Sequence, residues 1–339
     1  MKKYHTIIIG AGPGGLACAT ILARQGKDVL LLERNERIGP KVCAGGIPAS
    51  DLARNLPDDK LEKAFTSQRI FTNWQQTTIT EKEPIIYTVD RGRLGRWMEK
   101  KAHEAGVTIK TASPVIKIDA STVATGKDNF AYEFLVGADG SSSLVRRYLN
   151  IPTQRIGVGI NYQIAGNFQN MEWHLNSALF GNGYAWIFPH QSSASIGVYA
   201  NRSGIKPKIL LNSLYAWSKK FNIELKSRQP RAALVNFDYR GWHFGNRFLI
   251  GDAAGLASGL TGEGIYSAIV SGEEAAHKIL DPGHDGEKIN RLIKKQQRHT
   301  RVLDLASSSG FTSTLIMESL VLGLRAGLIS YKELEMGSD

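Results

Sequence analysis

The sequence predicts an α/β protein: a doubly wound, mostly parallel sheet flanked by helices, with an inserted antiparallel sheet and a helical tail. Three observations predict it. A β-branched run near the start closes on a glycine-rich turn and an Ala/Leu-rich segment. Two later apolar runs end in Asp-Gly and in Gly-Asp. The stretches between them alternate apolar and polar residues.

Thr6-Ile7-Ile8-Ile9 suits a strand buried on both faces. Gly10-Ala11-Gly12-Pro13-Gly14-Gly15 follows at once, giving G-x-G-x-x-G, and Leu16 to Gln25 reads as a helix ending at Gly26. A second strand, Val29 to Leu32, ends in Glu33, with Arg34 beside it. Gly10 permits the tight turn, Gly12 admits a pyrophosphate to the backbone, and Gly15 lets helix and strand pack closely. The helix N-terminus offers free N–H groups to phosphates, and Glu33 is placed to accept from an adenosine ribose. Strand, glycines, helix, strand and acid in this order predict a dinucleotide site. FAD and NAD both remain open at this point.

Two later motifs bear on that choice. Phe134-Leu135-Val136-Gly137-Ala138-Asp139-Gly140 is a short strand closing on Asp-Gly. Arg247-Phe248-Leu249-Ile250-Gly251-Asp252-Ala253-Ala254-Gly255 is another closing on Gly-Asp, and Gly262-Glu263-Gly264 opens a helix over Ile265 to Leu280. An NAD-binding domain alone needs neither. With Val89-Asp90-Arg91-Gly92-Arg93-Leu94, this pattern resembles the FAD-dependent oxidoreductases of the p-hydroxybenzoate-hydroxylase-like superfamily. The resemblance implies a Rossmann-type (glutathione-reductase-like) FAD-binding domain and FAD as cofactor. Asp252, after Gly251, would serve the ribityl and pyrophosphate region. The helix mouth at Gly262, Gly264 and Ile265 would face the flavin pyrimidine edge. Asp139-Gly140 and Arg91 would lie on the cofactor side.

Lys41-Val42-Cys43-Ala44-Gly45-Gly46-Ile47-Pro48 and Tyr184-Ala185-Trp186-Ile187-Phe188-Pro189 narrow the resemblance to geranylgeranyl reductases, with their K-x-C-G-G-G/A and Y-x-W-x-F-P signatures. It implies reduction of C=C bonds of an isoprenoid chain in a lipid, quinone or pigment. Lys41, Cys43, Ala44 and Gly45 would approach the cofactor. On an alternating strand Tyr184, Trp186 and Phe188 share one face, an aromatic wall suited to an apolar chain. With Cys43 they are the candidate catalytic residues, Cys43 positioning or protonating the substrate. Ala44 departs from the family's usual Gly and Tyr199 from a later one, and the tail is short. The reductant would be NAD(P)H or a ferredoxin-like donor, bound transiently because no second dinucleotide fingerprint is visible. Two other readings stay open. One is a flavin-dependent monooxygenase or halogenase acting on an aromatic substrate. The other is a non-catalytic flavin carrier or electron-transfer partner.

Composition sets the bounds. The 339 residues, 42% hydrophobic and 22% charged, allow a sizeable core and exclude a disordered chain. Two cysteines, Cys18 and Cys43, are too few for a disulfide scaffold, and neither has a metal-spaced partner, so no metal is expected. The net charge of +11 attracts anionic partners, yet Lys294-Lys295 is broken up like a solvated helix face, so no nucleic acid is expected. The start runs straight into a strand and no apolar run reaches the roughly 20 residues that span a bilayer, which predicts a cytoplasmic protein. Peripheral membrane contact stays open, and the oligomeric state is not legible.

The FAD-binding domain is expected to be discontinuous over 1–66, 90–152 and 245–285. Segments 67–89 and 153–244 are expected to form the antiparallel substrate sheet, and 286–339 a helical tail. The tail's segment Leu315 to Ile329 has an apolar face on Ile316, Leu320, Leu324 and Leu328, with Glu318 and Arg325 opposite.

Overall fold

The β-branched run at the start forms strand Lys2–Ile9, with Ile7 and Ile8 fully buried, in a computed structural model that describes residues 1–49, 56–202, 204–307 and 309–337. Positions 50–55 of the first expected segment, 203 of the inserted one, and 308, 338 and 339 of the tail lie outside the described residues. Lys2–Ile9 pairs in parallel with Asn129–Gly137 on one side and Val29–Leu32 on the other. Arg247–Leu249 and Thr108–Lys110 extend the parallel set outward. Short antiparallel strands complete eight in all. All four residues of Val29–Leu32 are buried, as a strand covered on both faces requires.

Helix Pro13–Arg24 lies on this sheet and buries Leu16, Cys18 and Leu22; each leucine contributes about 1.5–3 kcal/mol. It crosses helix Ile265–Leu280 almost backbone to backbone. A Cβ on Gly14 would sit 2.5 Å from the Ala268 carbonyl, and one on Gly272 would sit 2.2 Å from that of Gly14. The close crossing brings the turn after the first strand and the turn before the late helix to one edge of the sheet, though 250 residues of chain separate them. Arg146 is a second staple. It is 1% exposed and donates to the carbonyls of Pro152, Asp238 and Ala253, anchoring the Gly251–Gly255 turn.

A seven-stranded sheet stands over that edge. Its centre is antiparallel: Arg231–Asn236, Ile156–Ala165, Ser193–Asn201, Tyr184–Pro189 and Glu172–His174 in that order. Glu172–His174 then pairs in parallel with Ser67–Phe71, which forms a hairpin with Gln76–Thr80. Strand Ile86–Val89, expected in this sheet, pairs instead with Gly46–Pro48 and Leu61–Phe65 in a separate three-stranded sheet. Its backbone thereby supports the cysteine turn.

The tail holds two helices, Glu287–Ala306 and Gly310–Arg325, and a short 3-10 turn, Tyr331–Leu334. The buried face of Gly310–Arg325 carries Ser313, Met317, Val321 and Leu324, one residue round from the expected face. Glu318, opposite the expected apolar face, is buried: Thr72, Gln75 and the Trp74 backbone N–H all donate to its carboxylate. Leu328 falls beyond the helix and is exposed. Among the described residues no helix is long and apolar enough to cross a membrane.

Candidate cofactor and substrate site

Two adjoining pockets with shared walls form a trough along the edge where the two large sheets meet. One half is lined by Gly12, Glu33, Arg34, Asp139 and Gly140, the other by Cys43, Tyr184, Trp186, Phe188 and Asp252. Gly12, Pro13, Lys41, Arg91 and Gly140 border both halves.

The first half is built from unfilled polar groups. Helices Pro13–Arg24 and Ile265–Leu280 both begin at a glycine, Gly12 and Gly264, with no side-chain cap and no acidic residue in the first turn. Their N–H groups and dipoles are left for an anion. Space above Gly12 is open: a Cβ there would meet nothing nearer than the Ala138 carbonyl at 4.0 Å. Arg91 Nε and Nη1 are buried and have no acceptor, a costly state unless a ligand supplies one. Glu33 holds the turn, accepting from the Ala11 N–H at 2.8 Å through Oε2 and from Asn35 through Oε1. Oε1 takes both the Asn35 backbone N–H and Nδ2, and Oε2 keeps a lone pair for a ribose. Asp139 Oδ2 accepts the Leu144 N–H at 2.6 Å, so it caps a helix turn, while its Oδ1 is buried without a partner. Burial raises its pKa. Asp252 accepts from Lys41 Nζ at 3.1 Å and Ser141 Oγ at 3.0 Å, tying the cysteine turn to the Gly-Asp turn. Gly10, Gly14, Gly15 and Gly251 line the trough together with Gly262 and Ile265, and the first four have neighbouring backbone or side chains where a Cβ would stand. Open glycine, orphaned guanidinium and uncapped helix mouths fit FAD.

The second half is aromatic. Neighbouring ring centroids along strand Tyr184–Pro189 are 6.1 Å apart for Tyr184–Trp186 and 6.3 Å for Trp186–Phe188. Tyr199, the cross-strand partner of Tyr184, and Trp173 widen the wall at 6.0 and 5.9 Å from Tyr184. Trp186 donates to Ser195, Tyr199 to the Gly259 carbonyl and Tyr184 to the Thr261 carbonyl. Burial raises the pKa of both tyrosine hydroxyls, so they stay neutral.

Facing this wall is the cysteine turn, held at three successive carbonyls. Asn161 Nδ2 donates to Cys43 at 3.1 Å, His190 Nε2 to Ala44 at 3.0 Å, and the Val89 N–H to Gly45 at 2.9 Å. His190 Nδ1 is bonded in turn to the Glu62 carboxyl. Gly45, at φ +85°, has no room for a side chain, since a Cβ would lie 2.6 Å from His190 Cε1. The Cys43 thiol accepts the Gly45 N–H at 3.3 Å. Cys18 is fully buried in its helix and burial raises its pKa strongly, an inert thiol.

Asn161, His190, Glu62, Trp173 and the acids Glu263 and Glu335 were not singled out from sequence. Only Glu263 had a local signal, an acid set between the two glycines of a helix mouth. Among the described residues no group of three or more His, Cys, Asp or Glu side chains could hold a metal.

Comparison with known proteins agrees with this geometry. A digeranylgeranylglycerophospholipid reductase of Methanosarcina acetivorans is 28% identical, the match covering 90% of this chain and 83% of the relative. A geranylgeranyl diphosphate reductase of Rhodobacter capsulatus is also 28% identical, over 82% of this chain and 75% of its own. The crystal structure of a geranylgeranyl bacteriochlorophyll reductase-like protein from Thermoplasma acidophilum superposes with a TM-score of 0.76 at 20% identity, covering 96% of this chain and 99% of that one. A probable FAD-dependent monooxygenase from Pseudomonas aeruginosa reaches 0.69 at 16% identity, covering 94% and 100%, so the fold alone does not choose the reaction. The FAD binding domain model matches residues 3–196, more than half the chain: the protein belongs to the FAD-binding domain family and is an FAD-dependent oxidoreductase.

Proposed function

We propose that this protein reduces C=C bonds of a geranylgeranyl-type isoprenoid chain carried by a lipid, quinone or pigment. The observation that carries this reading is the aromatic wall of Tyr184, Trp186 and Phe188 opening directly onto the FAD half of the trough. Bound, reduced FAD supplies the hydride equivalent for such a reduction. The chain's own residues do the rest. The wall holds an apolar chain flat and excludes water, and the hydroxyls and indole facing it are already bonded within the protein. The pinned Cys43 turn closes the opposite side and sets how deep the chain enters. Gly12, Arg91, Asp139, Asp252 and the two helix mouths bind and orient the cofactor. The reductant, NAD(P)H or a ferredoxin-like donor, acts transiently.

A lipid substrate also accounts for the outer surface of helix Gly310–Arg325. Phe311, Leu315 and Leu322 are 70%, 41% and 56% exposed there, beside Trp74 at 65%. Lys288, Lys294 and Arg301 are exposed on the preceding helix. Apolar anchors beside basic residues suit peripheral contact with an anionic bilayer. Cosedimentation with anionic vesicles that is lost in Phe311→Ser would support that contact.

The reaction is tested by reducing the purified holoprotein with dithionite without oxygen, adding a geranylgeranyl lipid and following product mass. A gain of two hydrogens per reduced bond is expected. Turnover only with oxygen and an aromatic substrate would move the protein to the monooxygenase reading.

A further inference from the structure

We propose that Glu263 and Glu335 form the proton-donating carboxyl pair of this site, Glu263 supplying the proton that completes each reduced bond. This rests on the isoprenoid-reductase reading and names the acid that reading leaves unassigned.

Both residues line the aromatic half of the trough, although 72 positions separate them. The tail brings them together. After the Tyr331–Leu334 turn the backbone folds inward, and the Met336 N–H donates to Glu263 Oε2 at 2.8 Å. Glu263 Oε1 is sealed from solvent and has no hydrogen-bond partner. The surroundings are Tyr184, Tyr331 and Leu334, with Lys295 and Lys332 the cations that act on the pair. Two carboxylates side by side in so dry a space do not both stay charged, because burial and their mutual repulsion favour the protonated form. Burial pushes Glu263 up to about 7, and burial together with Glu263 pushes Glu335 up to about 9. A carboxylic acid poised near neutrality in a cavity is a suitable general acid.

The Tyr184 hydroxyl is less suited, since its proton is committed to the Thr261 carbonyl. Glu263 has an oxygen to spare. In the step proposed, the hydride equivalent from reduced FAD forms one new C–H bond as FAD is oxidised. The Glu263 O–H bond breaks to form the second, consuming the C=C π bond and leaving a carboxylate. Glu335, the weaker acid, stays protonated and stabilises that carboxylate until solvent returns the proton after product leaves.

The test combines infrared difference spectroscopy with single-turnover reduction, using the FAD-loaded protein and its Glu263→Gln, Glu335→Gln and Cys43→Ala variants. At pH 7 a protonated carboxyl band is expected, reduced in each glutamine variant and unchanged in Cys43→Ala. Glu263→Gln should bind FAD as before yet lose at least about 100-fold in single-turnover rate. Glu335→Gln should slow single turnover less than Glu263→Gln does and shift its alkaline limit. Absence of any protonated carboxyl at pH 7, or a Glu263→Gln protein as fast as the parent, would overturn the proposal. A parent protein that reduces no prenyl compound would instead overturn the reductase reading, whatever the infrared bands show.

Discussion

In the half of the trough proposed for FAD, Arg91 Nε and Nη1 have no partner and two helix mouths no side-chain cap. In the aromatic half the hydroxyls of Tyr184 and Tyr199 and the Trp186 indole are each satisfied by a neighbour. The first half is built to be completed by an anionic ligand, the second to offer an apolar chain no competing hydrogen bond. Exceptions in the second half, Trp173 Nε1 and Glu263 Oε1, are for that reason informative. The contrast teaches that unsatisfied polarity marks where a polar ligand sits, while satisfied polarity under aromatic rings marks where an apolar one does.

Breaking the first half should have the largest effect. Gly12→Val keeps an extended backbone that any residue adopts (φ −71°, ψ 175°) but fills the open space above the turn. FAD affinity is expected to fall on the order of 100-fold with the far-ultraviolet spectrum unchanged. Cofactor retention at parental affinity would remove that half from the dinucleotide site.

Breaking the second half should spare the cofactor. Trp186→Ala, at a 5% exposed position, is expected to lose roughly 3–5 kcal/mol of stability and most prenyl turnover, with FAD affinity close to the parent's. A loss of FAD as large as in Gly12→Val would show that the halves are not separable.

The acid pair predicts a pH dependence whose sign is set by raised carboxyl values. Folded Glu263 at about 7 and Glu335 at about 9 bind protons that the unfolded chain, near 4.5, has released. Stability is therefore fully present below about 4.5 and falls as pH rises through 7 and 9, with the Glu263 part worth roughly 3 kcal/mol. Denaturant melts from pH 5 to 9 should show this fall, and Glu263→Gln should flatten its lower portion. A curve that rises across this range would contradict the assignment.

Arg91→Met sharpens the comparison with the smallest effect. Removing buried, unpartnered donors should leave the cofactor-free protein as stable or slightly more so, while FAD affinity drops about 10-fold. Loss of stability without FAD would mean that Arg91 serves the fold rather than the ligand.

Legibility divided along similar lines. The Gly10–Gly15 turn, Glu33, Asp139 and Asp252 stood out in the sequence as candidates because a dinucleotide motif keeps its spacing over a few consecutive residues beside recognisable strands, and the fold brings them to one trough. The aromatic strand was legible through its period of two. The clamps on the cysteine turn were not: His190 reaches Ala44 across 146 positions and Asn161 reaches Cys43 across 118. No local rule links such pairs. Strand Ile86–Val89 looked like part of the inserted sheet because pattern reveals a strand but not its partner. Glu318 lies opposite the apolar face on a helical wheel, and only the folded Thr72–Gln75 turn supplies the donors to its carboxylate. Glu335 reaches the trough only because the tail turns back through the Met336 bond to Glu263.

The most direct test of the two-part site is rapid mixing of the dithionite-reduced holoprotein, free of oxygen, with a geranylgeranyl lipid or its fully saturated counterpart, following flavin absorbance. Flavin reoxidation is predicted with the unsaturated lipid alone, and its rate should collapse in Trp186→Ala while FAD stays bound. Reoxidation by neither lipid, together with rapid reoxidation when oxygen and an aromatic substrate are supplied, would contradict it.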